Sequence, residues 1–369
     1  MNKSDSGRRD TKLRIGVIGY GFIAAHGHVP AYLKRTDLKI VAVADKEDAR
    51  RAAVGKLLPD ARLYDSADAL IENESGNLDC IDICTPPYDH ARIATVALKK
   101  GLHVLCEKPL TIRHEDAAKL FQLARERKKV IFPCHNYKHA PIMLATREII
   151  NSGRIGKVVM VTINTFRNTH AKGVPEWHTD WRRQKKYSGG GIAMDHGSHS
   201  LYLIFDWLRA YPVKVSASMH NLQTDKYDTE DNFQAELIFP TGLAHINLTW
   251  TAGVRKNFYS IQGTKGAITI HEDDMEIAVQ KAGSGSSSNN NNISWEFEHK
   301  KISSHWMDAS HVSWFNSLVD DFKSAVAKDV YVGREAVDAL GCIRAINAAY
   351  KSAKTCGRAR AIQTGNMIG

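Results

Sequence analysis

Leu13-Arg-Ile-Gly-Val-Ile-Gly-Tyr-Gly-Phe-Ile-Ala24 is the stretch whose reading decides the fold. Ile15, Val17 and Ile18 form a short β-branched run that stops at Gly19; Gly21 follows, and then an apolar helical pattern begins. A strand turning tightly into a helix exposes backbone N–H groups and the positive end of a helix dipole, which suits a pyrophosphate. Gly19 would permit the turn and Gly21 would admit a phosphate to the backbone, with Phe22 and Ile23 beside it. Ala24 stands where the dinucleotide fingerprint tolerates a small third residue. A buried strand ending in an ordinary glycine turn is the alternative. Asp45 separates the two readings. It closes a second apolar strand, Lys39 to Ala44, at the separation expected of the acid that binds the adenosine ribose. Its carboxylate would accept from both ribose hydroxyls and repel a 2′-phosphate, favouring NAD, although Lys46, Arg50 and Arg51 keep NADP possible. Capping the following helix is the other use for Asp45.

Working outward, 369 residues exceed the usual size of one domain, and 43% apolar with 24% charged residues is ordinary for a globular chain. The net charge of +10 is scattered without a dense basic arm, so it reads as attraction for anionic ligands rather than nucleic-acid binding. No apolar run approaches bilayer-spanning length, and Met1 to Asp10 is polar. A cytoplasmic protein with no membrane partner and a disordered tail over 1–10 is therefore expected. The six cysteines contain no C-x-x-C pair and read as buried free thiols; the seventeen histidines show no zinc spacing, so no metal is expected.

From Leu13 to about Pro133 short apolar strands alternate with helical segments, which predicts an α/β domain over 11–136 with a doubly wound parallel sheet. Ligands would gather at the carboxyl ends of its strands. Over 137–369 the pattern shifts to α+β. A helix near Asp195 to Trp207 follows a glycine turn, and successive strands at 157–165, 213–219, 233–239, 243–250, 257–262 and 267–270 predict a large, mostly antiparallel sheet. One face should pack on helices. The other is expected to make a homodimer or homotetramer contact, because a bare apolar face of that size is a liability. Gly283 to Asn292 is nearly all Gly, Ser and Asn and predicts a mobile loop. Helices over 310–327 and 334–354 close the chain.

Several segments fall at strand ends or at the glycine turn: Thr85-Pro86-Pro87 with His90, Glu107-Lys108-Pro109, Cys134-His135-Asn136, and Gly189-Gly-Gly-Ile-Ala-Met-Asp195-His-Gly-Ser-His199. In order and spacing the G-x-G-x-x-A turn, T-P-x-x-x-H, E-K-P and G-G-G-x-x-x-D-x-G-x-H resemble the glucose-fructose oxidoreductase / inositol dehydrogenase / rhizopine-catabolism (Gfo/Idh/MocA) family of NAD(P)-dependent oxidoreductases. The resemblance implies a Rossmann domain followed by a substrate and oligomerisation domain, with the dinucleotide across the carboxyl edge of the first sheet. It implies that Thr85, Pro86 and His90 line the cofactor, that Glu107 and Lys108 lie beside the nicotinamide ribose with Asn136 at the same edge, and that Lys108-Pro109 is a cis bond.

Oxidising a secondary alcohol by hydride transfer requires loss of the hydroxyl proton and a positive charge beside the developing alkoxide. His199 is the candidate general base. Lys108 would supply the charge, and Asp195, four residues before His199, shares its helical face and could orient the imidazole or bind a substrate hydroxyl. Singly, these residues could equally be a surface lysine, a helix cap and a core histidine. The family often carries an acid three residues after the histidine; Tyr202 stands there in this chain. Between strand and glycine turn lie Arg167, His170, Trp177, His178, Trp181 and Arg182, whose aromatic faces and forked donors suit a sugar or polyol. Arg182, Arg183, Lys185 and Lys186 could take a carboxylate or phosphate; a solvated basic loop with core tryptophans is the alternative. His305-Trp306 and His311 could reach a pocket mouth. The expected activity is NAD-dependent oxidation of a secondary hydroxyl of a sugar, sugar acid or cyclic polyol. The alternatives are redox-neutral, NAD-using glycoside cleavage and a dinucleotide-binding, sugar-sensing regulator.

Overall fold

The computed structural model describes residues 12–223, 226–281, 294–304 and 310–363. The expected tail at 1–10, the loop at 283–292, and His305-Trp306 lie outside the described residues. Six parallel strands, β1 (Leu13–Ile18), β2 (Leu38–Ala44), β3 (Arg62–Tyr64), β4 (Cys80–Ile83), β5 (His103–Cys106) and β6 (Ile131–Pro133), form the first sheet in the order β3-β2-β1-β4-β5-β6. Their unbroken apolar runs follow from burial on both faces. Ile15, Val17, Val43 and Leu105 pack into one layer with Tyr32 and Phe322, while Ala42, Ile81, Ile83 and Val104 pack into the other with Leu70, Ile93 and Leu120. The order reverses direction at β1 and β4, which opens a crevice at their carboxyl ends. Ser66 caps its helix as the sequence suggests, its hydroxyl accepting from the Ala69 N–H at 3.3 Å.

The helix expected from Ala24 to Lys34 departs from regular geometry. Ala24–His28 is a π-helical turn and only Val29–Leu33 is α-helical. Pro30 has no N–H to close on His26, and the wider turn places His28 in the interior, where it is fully buried.

The second sheet contains β7 (Val158–Phe166), β8 (Lys214–His220), β9 (Asn232–Phe239), β10 (Gly242–Thr249), β11 (Lys256–Gly263) and β12 (Gly266–His271). Three further strands, β13 (Asp274–Gln280), β14 (Trp295–Lys301) and β15 (Arg360–Ala361), were not apparent from the sequence. The order is β14-β13-β12-β11-β7-β10-β9-β8-β15, antiparallel except where β10 pairs with β7. Ile192–Leu208 and Arg334–Ala353 cover its inner face. The outer face is mixed: Thr162, Asn164, Ser218, Gln234, His245 and Asn247 share it with the exposed apolar residues Met160, Leu243, Phe258, Trp295 and Phe297.

The closing helices serve both sheets. From Val312–Ala327, Phe315, Leu318 and Phe322 pack beneath β1; from Arg334–Ala353, Leu340 and Ile343 pack with Leu120 and Ile131, while Ala345 and Ile346 join the second core. Polar bonds reinforce this junction. Lys138 is almost wholly buried, and its ammonium donates to both Glu335 oxygens at 2.9 Å and to Asp338 at 2.6 Å, while His135 Nδ1 lies 2.6 Å from Glu335. Lys138→Met would remove the ammonium shared by two carboxylates, leaving Asp338 to Arg334 at 2.8 Å and Glu335 to His135 at 2.6 Å, and a loss of about 3 kcal/mol, the low end for a broken buried pair, is expected in urea unfolding. A stability within about 1 kcal/mol of the parent would show that the cluster does not hold the junction.

Candidate active site

Two adjoining cavities, about 250 and about 340 Å³, run along the carboxyl ends of the first sheet and share Phe22, Ile23, Thr85, Trp181 and Arg182. The first holds the glycine turn. Gly19 has φ of +90° and its α-carbon is pressed against the Cys84–Thr85 backbone, so a side chain is excluded there. A β-carbon on Gly21 would meet nothing within 4 Å, so its backbone is open to a ligand. Asp45 lines this cavity, held by the N–H groups of Tyr20 at 2.7 Å and Glu47 at 2.9 Å. The helix cap itself is Glu47, so Asp45 braces the turn instead. The neighbouring cations are engaged: Lys46 sits 4.1 Å over the Trp177 ring, Arg50 donates to Tyr20 O, and Arg51 donates to Asp45 O. With Arg50 and Glu176 3.7 Å apart, these contacts draw the 172–182 loop across the first cavity, so Trp177 covers this end of the crevice.

The second cavity brings Glu107, Lys108, Asn136, Arg167, Asp195 and His199 together. Lys108 follows β5 and its peptide bond to Pro109 is cis. Asp195 and His199 project from one face of Ile192–Leu208. Glu230 seats that helix by accepting from the N–H groups of Gly191 at 2.9 Å and Ala193 at 3.0 Å, and from Tyr350 Oη at 2.8 Å. Side chains at Gly190 or Gly191 would collide with Tyr350 Oη or Glu230 O, which accounts for the glycine turn. Lys108 Nζ donates to Asp195 Oδ1 at 2.7 Å and to Asp195 O at 3.1 Å, joining the two domains inside the cleft. Burial works against the Asp195 charge, yet Lys108, His196 and Arg182 outweigh it and hold its carboxyl well below the usual range. His196 Nδ1 and Arg182 Nε lie 3.4 and 3.6 Å from Asp195 Oδ2. His199 stacks on Tyr137 with ring centres 3.9 Å apart, and its Nδ1 meets Tyr202 Oη at 2.5 Å. Burial, then Lys108 and His196, push its pKa well below 6.5.

Beneath the cleft lies a charged network invisible to motif reading. His28 faces Asp82 through Nδ1 at 2.7 Å and Glu107 through Nε2 at 3.0 Å, and Tyr32 Oη donates to Asp82 at 2.6 Å. Glu107 in turn accepts the Lys108 N–H at 3.0 Å. With a carboxylate at each nitrogen the ring is an imidazolium donating twice. Burial alone would remove its proton, but Asp82 and Cys84 raise its pKa well above 6.5. The signal available in sequence was Asp82 itself, a charge inside the apolar run Cys80-Ile-Asp-Ile83. Potential metal ligands approach one another here and at His135, Glu335 and Asp338. In both places they are already bonded, to each other or to Lys138.

Three expectations change. His90 does not line the cleft: it is fully buried, with Nε2 2.7 Å from Thr85 O and Nδ1 2.9 Å from Pro109 O, so it ties two cleft loops together from below. Arg167 borders the second cavity, but its guanidinium is spent on Phe166 O at 2.8 Å and Asn257 Oδ1 at 2.9 Å. Arg183 is fully buried against Asp231 at 3.3 Å and Asn221 at 2.9 Å and is not a substrate donor. Trp181 and Arg182 do reach both cavities, the guanidinium lying 4.2 Å over the indole. Of the late segment, His311 borders the second cavity.

Residues 13–135 match the model of the oxidoreductase family with an NAD-binding Rossmann fold, and 143–269 match that of the GFO/IDH/MocA C-terminal domain. D-glucoside 3-dehydrogenase of Escherichia coli is 28% identical over 59% of this chain and 60% of its own length. Levoglucosan dehydrogenase of Pseudarthrobacter phenanthrenivorans is 25% identical over 72% of this chain and 76% of its own. The crystal structure of GenD2 from gentamicin A biosynthesis in complex with NAD superposes with a TM-score of 0.79 at 22% identity, covering 96% of this chain and 97% of that one.

The raised pKa of His28 has a definite sign. Its proton favours the folded chain fully below the unfolded value near 6.5, and that contribution drains away as pH climbs toward the higher folded value. Urea unfolding at about pH 6 and about pH 9 should therefore show a loss of stability on alkalinisation that is smaller in His28→Asn. An equal loss in both proteins would mean that the ring is neutral in the folded state.

Proposed function

The chain belongs to the Gfo/Idh/MocA family of NAD-binding oxidoreductases, and from that premise we propose that it oxidises a secondary hydroxyl of a sugar, sugar acid or cyclic polyol. The observation carrying this reading is the Lys108–Asp195 contact beside His199, in a cavity that adjoins the nucleotide turn. The names of the relatives, a D-glucoside dehydrogenase and a levoglucosan dehydrogenase, support the substrate class.

The first cavity fits NAD. Among the described residues Thr85 Oγ1 is buried there without a hydrogen-bond partner, the Gly21 backbone is open, and the Asp45 carboxylate retains lone pairs for the ribose hydroxyls. When bound, NAD supplies the hydride acceptor. The chain's own residues do the rest. Lys108, held by Asp195, places a positive charge where the substrate oxygen gains negative charge. His199 lines the same cavity with Nδ1 engaged by Tyr202, so Lys108 Nζ and His199 Nε2 are the two groups left to meet the substrate hydroxyl. Trp181 offers an aromatic face to the apolar side of a sugar ring, and Arg182 offers donors to its hydroxyls or to a carboxylate. The cysteines are unpaired thiols, and no helix among the described residues is long and apolar enough to cross a membrane, which fits action in a reducing cytoplasm. A homo-oligomer remains part of this reading, with the sheet's outer face as its contact.

Incubation of the full chain with NAD and a panel of sugars, sugar acids and inositols should yield NADH. Product without net NADH would point to redox-neutral cleavage, and ligand binding without product would point to a regulator. Lys108→Ala and His199→Ala should each lower kcat by about 10²–10⁴ with NAD affinity nearly unchanged. Unaltered turnover removes either residue from the mechanism. Asp45→Ala should weaken NAD and bring NADP closer to it in kcat/KM; a variant that still rejects NADP equally would refute the ribose assignment.

A further inference from the structure

Tyr202 is completely buried, and its hydroxyl has two polar neighbours: the Tyr137 N–H at 3.2 Å and His199 Nδ1 at 2.5 Å. An amide can only donate, so the phenolic oxygen accepts at that contact. The phenol's own proton then needs an acceptor. Among the described residues, His199 Nδ1 is the one that it meets. We propose that Tyr202 is a positioning residue that fixes the tautomer of His199: its O–H donates to Nδ1, the neutral imidazole carries its proton on Nε2, and the histidine meets the substrate oxygen as a hydrogen-bond donor instead of a base.

Two features support this assignment. Burial pushes the Tyr202 hydroxyl far above its ordinary pKa, so it keeps its proton. His199 is neutral: burial, then Lys108 and His196, disfavour the imidazolium more than Asp195 favours it, and His135 adds to the disfavour. The geometry is also over-determined. Tyr137 stacks on His199 at 3.9 Å, His135 stacks on Tyr202 at 4.3 Å, and Glu335 holds His135 at 2.6 Å. A carboxylate in place of Tyr202 could only accept, and would place the proton on Nδ1 with a bare Nε2 toward the cavity. A phenol reverses the sense. Lys108 and His199 then aim donors at one oxygen; in the oxidation the hydroxyl proton goes to Lys108 Nζ in its amine form, and the ammonium so formed and the Nε2–H together hold the developing negative charge on that oxygen.

The identity of that oxygen rests on the dehydrogenase reading; the tautomer does not. Long-range proton–nitrogen spectra of the full chain labelled with ¹⁵N-histidine, with His199→Asn assigning the signals, report it directly. The expected pattern at neutral pH is a pyridine-like Nδ1 and a protonated, pyrrole-like Nε2. A proton on Nδ1, or on both nitrogens, would overturn the proposal whatever the enzyme's activity. In Tyr202→Phe the two nitrogen shifts should move toward the average of exchanging tautomers, and shifts unchanged from the parent would remove Tyr202 from the role. The parent spectrum decides the tautomer even if that variant does not fold. An Nε2–H spectrum in a protein that makes no NADH from any polyol would leave the tautomer standing and sink the dehydrogenase reading. Turnover with the opposite tautomer would do the reverse.

Discussion

The contact between Lys108 and Asp195 is the interaction on which the site depends, because it places one residue from each domain within 2.7 Å inside a mostly buried cleft. Two charges removed from water repay their desolvation only when each is fully bonded and rigidly placed. Both ends meet that condition. Lys108 emerges from β5 beside Glu107, which grips its N–H and is itself gripped by His28 and, through His28, by Asp82. Asp195 sits in the first turn of a helix whose start is clamped by Glu230 and Tyr350. Lys108 and Asp195 thus face the cleft while the groups that aim them are inside the protein.

Buried charge recurs at the domain junction and behind the cleft. Lys138 joins the end of the first domain to the last helix through Glu335 and Asp338, and Arg183 pins the loop behind the cleft to Asp231. Apolar packing of the closing helices against both cores supplies the bulk of the attachment. It is tolerant of small displacements. Charged clusters are not, because a shift of about 1 Å leaves a carboxylate or an ammonium unsatisfied in a low-dielectric interior.

Much of the arrangement was legible in the sequence for a specific reason: strands buried on both faces leave unbroken β-branched runs, and turns that must bring backbone to a phosphate leave glycines. Gly19, Gly21 and Asp45 therefore stand out, as do Lys108 just past a strand end and Asp195 and His199 in the first half of a helix. What escaped reading depends on partners distant in the chain. Arg183 and Arg167 look like free cations until Asp231 and Asn257 fold against them. His90 resembles a cleft residue because its sequence neighbours are, but its ring points the other way, between two carbonyls. The π-turn that internalises His28 leaves no periodic trace, and β14, exposed at the sheet edge, lacks the buried side chains that announce a strand. The outer face of the second sheet is mixed for a reason visible in the strands, where polar residues alternate with the buried ones and Met160, Leu243, Phe258, Trp295 and Phe297 interrupt them.

The position three residues after His199 shows how little of the chemistry the backbone decides. Ile192–Leu208 would present the same imidazole to the same cleft with an acid or a phenol at 202, since both reach Nδ1 from one turn along the helix. The difference lies in a single proton. An acid accepts and leaves the outward nitrogen bare; a buried phenol already accepting from the Tyr137 N–H has only its proton left to give. Fold, cofactor turn and ion pair would be identical in the two cases, while the outward nitrogen would offer the reacting oxygen opposite hydrogen-bonding characters. Under the proposed assignment, the contact between the imidazole and its inner neighbour matters as much as its contact with the substrate.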